Sequence, residues 1–219
     1  LIIPNLKLET GVKLAYLPSY SGVDLRIIST AENDDEANER DHQLRRYLEK
    51  VVGKYIFGTD DDTLEGILGQ LLKDNDKTLS VAESCTGGQL GMLITSASGS
   101  SSYFLGGIIS YSNESKIKDL SVPADVIDNF GAVSEECAKS MAQGCRQHFE
   151  SDYALSITGI AGPTGETDNK PIGTTYIGLA TSHSTYAKKF NFGSNRQANR
   201  TRATYAALEF LRREMLDIK

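Results

Sequence analysis

From Leu64 to the C-terminal end the chain alternates two kinds of apolar pattern, and that alternation restricts the folds open to it more than any other feature. Leu64, Ile67, Leu68, Leu71 and Leu72 recur at helical spacing and stop at Asp74-Asn75-Asp76. A short strand follows at 78–82, a helix at about 87–95, a strand at 107–111, a helix at about 134–149 and a strand at 153–158. Two further strands, 174–181 and 187–192, precede a last helix from about Arg196 to Met215. Short apolar runs alternating with amphipathic helices predict an α/β fold, a sheet covered by helices on both faces. Two successive strands before the final helix predict that this helix-sheet-helix sandwich has a mixed, partly antiparallel sheet.

The first 58 residues read differently. Val12, Leu14 and Tyr16, then Val23, Leu25 and Ile27, alternate around Pro18-Ser19-Tyr20-Ser21-Gly22, which predicts a hairpin. After the acidic stretch from Glu32 to Glu39, a helix carries Leu44, Tyr47, Leu48, Val51 and Val52 on one stripe. This is a small α+β module over 1–58, set before the larger domain over 59–219. The Asp60-Asp61-Asp62 run supplies negative charge to the start of the next helix. Leu1-Ile2-Ile3-Pro4 has no initiator Met, so the expectation is a fragment of a longer protein.

A formal charge of -6 argues against a dominant nucleic-acid surface, which needs excess Lys and Arg to displace counterions. No stretch approaches the roughly 20 apolar residues that span a bilayer, and no signal-peptide pattern opens the chain. A cytoplasmic protein without membrane contact is expected. Cys85, Cys137 and Cys145 form no C-x-x-C pair, and His42, His148 and His183 lack metal-ligand spacing, so no metal is expected. The sequons at Asn113 and Asn199 read as accidental.

Chemistry gathers at strand ends. Ala82-Glu83-Ser84-Cys85-Thr86-Gly87-Gly88 lies where a strand gives way to a helix, the place where α/β sheets expose reactive groups. Unpaired N–H groups at the helix start can hold an oxyanion or phosphate, and Gly87 and Gly88 let main chain approach a ligand. Ser84 or Thr86 reads equally well as an ordinary N-cap. A second strand leads through Tyr111-Ser112-Asn113-Glu114-Ser115 to Lys116. Burial would lower that lysine's pKa and make it a general base for Ser84, with Tyr111 relaying or orienting the proton; a lone lysine is more simply a solvated one. A third strand end opens into Gly159-Ile160-Ala161-Gly162-Pro163, a loop able to wrap a phosphate or ribose, or a plain surface loop. Arg196, Arg200 and Arg202 begin the last helix and suit phosphate or carboxylate, or form a solvated basic face. Cys85 is a rival nucleophile that lacks a histidine partner.

These segments together resemble the C-terminal domain of the competence/damage-inducible CinA family, the nicotinamide mononucleotide amidohydrolases. The resemblance spans roughly Asp60 to Met215. It rests on A-E-S-C-T-G-G at 82–88, Y-S-N-E-S-K at 111–116, G-A-V-S at 131–134, S-I-T-G-I-A-G-P at 156–163, P-I-G-T at 171–174 and the late arginines. The resemblance implies cleavage of the carboxamide of nicotinamide mononucleotide to nicotinic acid mononucleotide and ammonia, with no metal and no cofactor. Ser84 would attack, Lys116 would take its proton and later protonate departing ammonia, and Tyr111 would assist. Thr86, Gly87, Gly88, Asn113, Gly159, Ala161 and Gly162, with Arg196 or Arg200 on the phosphate, would bind substrate.

The segment from about Lys7 to Phe57 is similar to the KH-type module that precedes this domain in the family. It lacks the G-x-x-G loop that clamps RNA and is not basic, so nucleic-acid binding is not expected. An upstream domain related to molybdopterin-binding proteins, linked to ADP-ribose pyrophosphatase activity, is implied but not contained in this sequence. A homo-oligomer is expected, since family members associate and Phe104 and Leu105 fall in a loop in this reading. The competing reading is a catalytically silent interaction module of the competence or DNA-damage response.

Overall fold

The structure, a computed structural model, describes residue 6 and residues 8–218. These fall into two compact units, one up to Asp61 and the other from Asp62. The opening Leu1-Ile2-Ile3-Pro4 and Lys7, named above as the cut end and the module's start, lie outside the described residues.

The first unit is the expected hairpin and helix. Strands β1 (Val12–Pro18) and β2 (Val23–Ser29) pair antiparallel with Tyr16 opposite Leu25. Helix α1 (Asp34–Val52) starts earlier than the apolar stripe predicts. The Asn33 side chain accepts from Glu36 N–H, and Asp34, Asp35 and Glu36 occupy the first turn, where carboxylates complement the helix dipole. The acidic stretch is therefore the helix's own N-terminus and not a lead-in. Val12, Leu44, Leu48 and Val52 form the unit's core.

The second unit is the helix-sheet-helix sandwich. Its elements run α2 (Leu64–Asp74), β3 (Leu79–Glu83), α3 (Gln89–Ser96), β4 (Phe104–Ile109), α4 (Asn113–Leu120), α5 (Ala124–Phe130), α6 (Glu135–Phe149), β5 (Tyr153–Gly159), β6 (Thr174–Ala180), β7 (Thr185–Asn191) and α7 (Arg196–Met215). The sheet order is β4-β3-β5-β6-β7. The β4-β3-β5 part is parallel and the β5-β6-β7 part antiparallel, so the sheet is mixed as predicted.

Alternation along the strands assigns the faces. Ser80 and Ala82 of β3, Ala154, Ser156 and Thr158 of β5, and Gly178 and Ala180 of β6 make a small-residue face. Against it α6 packs Cys137, Met141, Ala142 and Cys145. The approach is close: a Cβ on Gly178 would sit 2.5 Å from the carbonyl oxygen of Ala138, and Ser156 Oγ donates to that same oxygen at 2.6 Å. The alternate residues Leu79, Val81, Leu155, Ile157, Ile177 and Leu179 are fully buried on the other face. There α7 packs on β5 and β6, and α2 and α3 pack on α7.

Strand β4 lies about three residues N-terminal to its expected position, so Tyr111 follows the strand and Phe104 and Leu105 belong to it, not to a loop. Glycine's low strand propensity hides the true start. Gly106 and Gly107 are needed here because their added Cβ atoms would sit 2.6 Å from the Phe149 ring and 2.6 Å from Val81 respectively.

Candidate functional site

Strand β3 ends at Glu83, and Ser84 takes the next place in the chain. The N–H of Ser84 still donates to Ile157 O at 3.0 Å, so the serine is anchored to the central strand β5. The chain then turns sharply, with Gly87 N–H donating to Ser84 O at 3.2 Å. Gly87 and Gly88 stand at φ +58° and +94°, a backbone that residues with a Cβ seldom adopt. Their geometric role is the turn; neither lines the cavity beside Ser84.

Lys116 comes from the second turn of α4, whose start is fixed by Ser112 Oγ accepting from Ser115 N–H. The helix sends the side chain inward, where it is 1% exposed. Its Nζ donates to Ser84 Oγ at 3.0 Å, to Ser110 O at 2.8 Å, and at longer range to Tyr111 O at 3.3 Å and Ser112 O at 3.5 Å. Burial lowers the lysine's pKa from its ordinary value, with the Cys137 and Cys85 thiols acting weakly the other way. The same burial pushes the Cys85 thiol up to about 11, so it stays a neutral thiol near neutral pH. Ser84 Oγ thus lies in hydrogen-bond range of an amine whose pKa is lowered, while the neighbouring Cys85 thiol is raised.

A cavity of about 260 Å³ opens on this pair. Ser84, Cys85, Tyr111, Asn113 and Lys116 line one part. Ala132, Val133, the segment Thr158 to Gly162, Thr164, Gly165 and Arg196 line the rest, with no Asp or Glu among them. Arg196, the first residue of α7, donates from Nη1 to Gly162 O at 2.7 Å and so ties the glycine loop to the helix start. Of the residues singled out in the sequence, Ser84, Lys116, Tyr111, Asn113, Gly159, Ala161, Gly162 and Arg196 come together here.

Five do not. Thr86, Gly87, Gly88, Arg200 and Arg202 are absent from the lining; Arg200 instead donates from Nη2 to Thr86 O at 2.6 Å, bracing the turn after Ser84, and Arg202 donates from Nη1 to Phe192 O at 2.8 Å. Tyr111 lines the cavity but is 63% exposed as a residue, and its contact with Lys116 is through the carbonyl oxygen. The helix start also departs from expectation. The N–H groups of Gly88, Leu90 and Gly91 are not free for a substrate oxyanion, because the Glu83 carboxylate accepts all three at 2.8–3.0 Å.

Two structural residues had no role in the sequence reading. Asn199 is 2% exposed and donates from Nδ2 to Ala161 O at 3.0 Å and Gly193 O at 2.8 Å, holding the cavity loop and the approach to α7 together. The Asn of this sequon is therefore buried in the fold, with its amide nitrogen already engaged. Thr158, beside Gly159, donates from Oγ1 to Ala132 O at 2.7 Å and links β5 to the 131–134 segment; the G-A-V-S motif was the available signal for this wall. Among the described residues there is no cluster of three or more His, Cys, Asp or Glu side chains that could hold a metal ion, and no helix long and apolar enough to cross a membrane.

A three-layered α/β domain carrying a buried serine and lysine at the end of a central parallel strand is the class that this fold and site define. Residues 61–215 match the CinA C-terminal domain and residues 2–58 the damage-inducible protein CinA KH domain. The chain belongs to the CinA family of competence/damage-inducible proteins. A CinA-like protein of Endomicrobium trichonymphae is 43% identical over 205 residues, covering 94% of this chain and 48% of its own length. A putative competence-damage inducible protein of Thermoanaerobacter pseudethanolicus is 42% identical over 218 residues, covering 100% of this chain and 53% of its own. The chain thus spans about half the length of the curated relatives it matches. A CinA superfamily protein of Klebsiella pneumoniae superposes with a TM-score of 0.68 at 27% identity, covering 70% of this chain and 96% of that one. One from Escherichia coli gives 0.66 at 28% identity, covering 73% and 96%.

Proposed function

We propose that this chain hydrolyses the carboxamide of nicotinamide mononucleotide, giving nicotinic acid mononucleotide and ammonia. The observation that carries the reading is the 3.0 Å contact between Lys116 Nζ and Ser84 Oγ, both buried, at a cavity with a cationic wall and no carboxylate. A neutral Lys116 amine has two N–H groups to give to the carbonyls of Ser110 and Tyr111, leaving its lone pair for the Ser84 hydroxyl proton. The lowered pKa makes that neutral form accessible.

In this mechanism Ser84 Oγ bonds to the amide carbon while its proton passes to Lys116. The tetrahedral adduct collapses, the C–N bond breaks, and Lys116 returns the proton to the departing amine, which leaves as ammonia. Water then adds to the acyl ester with Lys116 again taking a proton, and collapse restores the Ser84 hydroxyl as the carboxylate product leaves. Arg196 holds the ribose phosphate, and the main chain of 159–162 with Asn113 surrounds the ribose and ring. The cavity of about 260 Å³ is small beside the roughly 300–1,000 Å³ of drug-sized sites and open to solvent, so it receives the reacting amide end of the substrate. The homo-oligomer belongs to the same proposal: β4 is a sheet edge with Leu105 and Ile109 exposed, and light scattering that gives only the monomer mass would remove it.

The test is ammonia release from nicotinamide mononucleotide by the purified chain, with nicotinamide dinucleotide as the comparison. Release from the mononucleotide alone is expected. No release by folded protein would leave the silent interaction module as the better reading.

A further inference from the structure

Glu83 is the last residue of β3, between Ile109 of β4 and Ile157 of β5, and it is 2% exposed. A carboxylate buried there must be neutralised or fully hydrogen-bonded. No salt bridge found among the described residues includes it. Instead Oε2 accepts from Gly88 N–H and Leu90 N–H, both at 3.0 Å, and Oε1 accepts from Gly91 N–H at 2.8 Å. Helix α3 has no side-chain cap at its own N-cap position, Gly88, so this carboxylate from the preceding strand serves as the cap.

The three bonds reach from the residue before Ser84 to residues beyond the turn, closing a loop around the nucleophile. The main chain of the same residue reaches the other half of the pair. Glu83 O accepts from Ser110 N–H at 2.8 Å, and Ser110 O accepts from Lys116 Nζ at 2.8 Å. One residue is thus bonded to the segment that carries Ser84 and, through a single intermediate residue, to Lys116.

We propose that Glu83 is the positioning residue of the Ser84–Lys116 pair: its buried carboxylate locks the turn that presents the Ser84 hydroxyl to the lysine, without touching substrate. This rests on the reading of Ser84 as nucleophile. Loss of the carboxylate frees three N–H groups and lets the two-glycine turn relax. A displacement near 1 Å is enough to lower a positioned reaction on the order of a hundredfold.

Glu83→Gln tests it. The amide keeps the shape but places an NH2 group against main-chain donors, breaking at least one of the three bonds. Two rates are read on protein shown folded by circular dichroism and thermal melting: ammonia release from nicotinamide mononucleotide, and covalent labelling of Ser84 by phenylmethylsulfonyl fluoride, which needs no substrate recognition. The expected result is a fall of roughly 10- to 100-fold in both kcat and labelling rate, with KM changed less than about twofold. Wild-type labelling and kcat in folded Glu83→Gln would overturn the proposal. Should that variant not fold, Glu83→Asp reads the same two rates, since the shorter side chain cannot reach all three donors. If neither variant folds at the assay temperature, Glu83 is a stability residue only and the proposal fails. A wild type that is labelled yet releases no ammonia overturns the substrate reading alone, and the labelling ratio still decides for or against Glu83.

Discussion

Ser84 and Lys116 reach each other from different elements, 32 residues apart in the chain, with 3.0 Å between Oγ and Nζ. The serine is fixed by the end of β3 and its bond to β5, the lysine by α4 and three carbonyls of the loop before it. Neither side chain needs to move for proton transfer, which operates over about 2.6–3.2 Å.

Replacing Ser84, the proposed nucleophile, should separate binding from chemistry. Ser84→Ala should remove nearly all ammonia release while binding of nicotinamide mononucleotide, measured calorimetrically, stays within a few-fold, because the hydroxyl forms its bond only during reaction. Cys85→Ala should retain turnover, given a thiol raised to about 11 by burial. The opposite pattern in folded protein would reassign the nucleophile.

The two arginines of α7 should part company. Arg196 lines the cavity and Arg200 does not. Loss of a hydrogen bond to a charged group costs about 1.5–3 kcal/mol, so Arg196→Ala should raise KM for the mononucleotide roughly 10- to 100-fold. The same variant should leave turnover of the unphosphorylated riboside little changed. Arg200→Ala, which removes the brace on Thr86 O, should act on kcat and thermal stability with little change in KM. Equal KM effects from both variants would undo the assignment of the phosphate anchor.

The sequence made much of this visible and hid a definable part. The extent of α7 and the mixed sheet follow from periodicity, whereas residue pattern alone favours a solvated Lys116 and its pairing with Ser84 is what the family resemblance implies. The start of β4 was hidden by Gly106 and Gly107, whose need is set by Phe149 and Val81 far along the chain or on another strand. Helix α5 was missed because seven residues after Pro123 carry too little periodic signal. Arg196 and Arg200 are one helical turn apart and look equivalent. Only tertiary packing sends one guanidinium to Gly162 O and the other to Thr86 O. Glu83 had no signal of its own, since its three donors are assembled by a turn that depends on positive φ at Gly87 and Gly88.

Asn199 should prove structural. Its Nδ2 ties Ala161 O to Gly193 O in a buried setting, so Asn199→Ala leaves two carbonyls short of a donor. A cost of about 1–3 kcal/mol is expected in chemical denaturation. Asn199→Asp should be at least as damaging, because a carboxylate cannot donate to either carbonyl.

The sharpest prediction concerns pH. Lys116 in the folded protein has a pKa below its ordinary 10.5, with burial as the main cause. The base must be neutral to accept the Ser84 proton, so kcat/KM should rise with pH through that lowered value and level off before 10.5. Stability should follow the same group with a definite sign. Between the lowered folded value and the unfolded value the unfolded chain binds more protons, so unfolding free energy rises with pH across that window; below it the buried charge is a constant cost. Lys116→Met keeps the length and removes the titration. It should abolish turnover and flatten this part of the pH dependence of stability, while leaving the carbonyls of Ser110 and Tyr111 short of a donor at every pH. Lys116→Arg should be inactive as well, since a guanidinium does not deprotonate in this range. Urea denaturation of wild type and Lys116→Met at several pH values from neutral to 10 measures the difference. Parallel curves for the two proteins would mean that Lys116 does not titrate in this range, and the proposed base would have to be sought elsewhere.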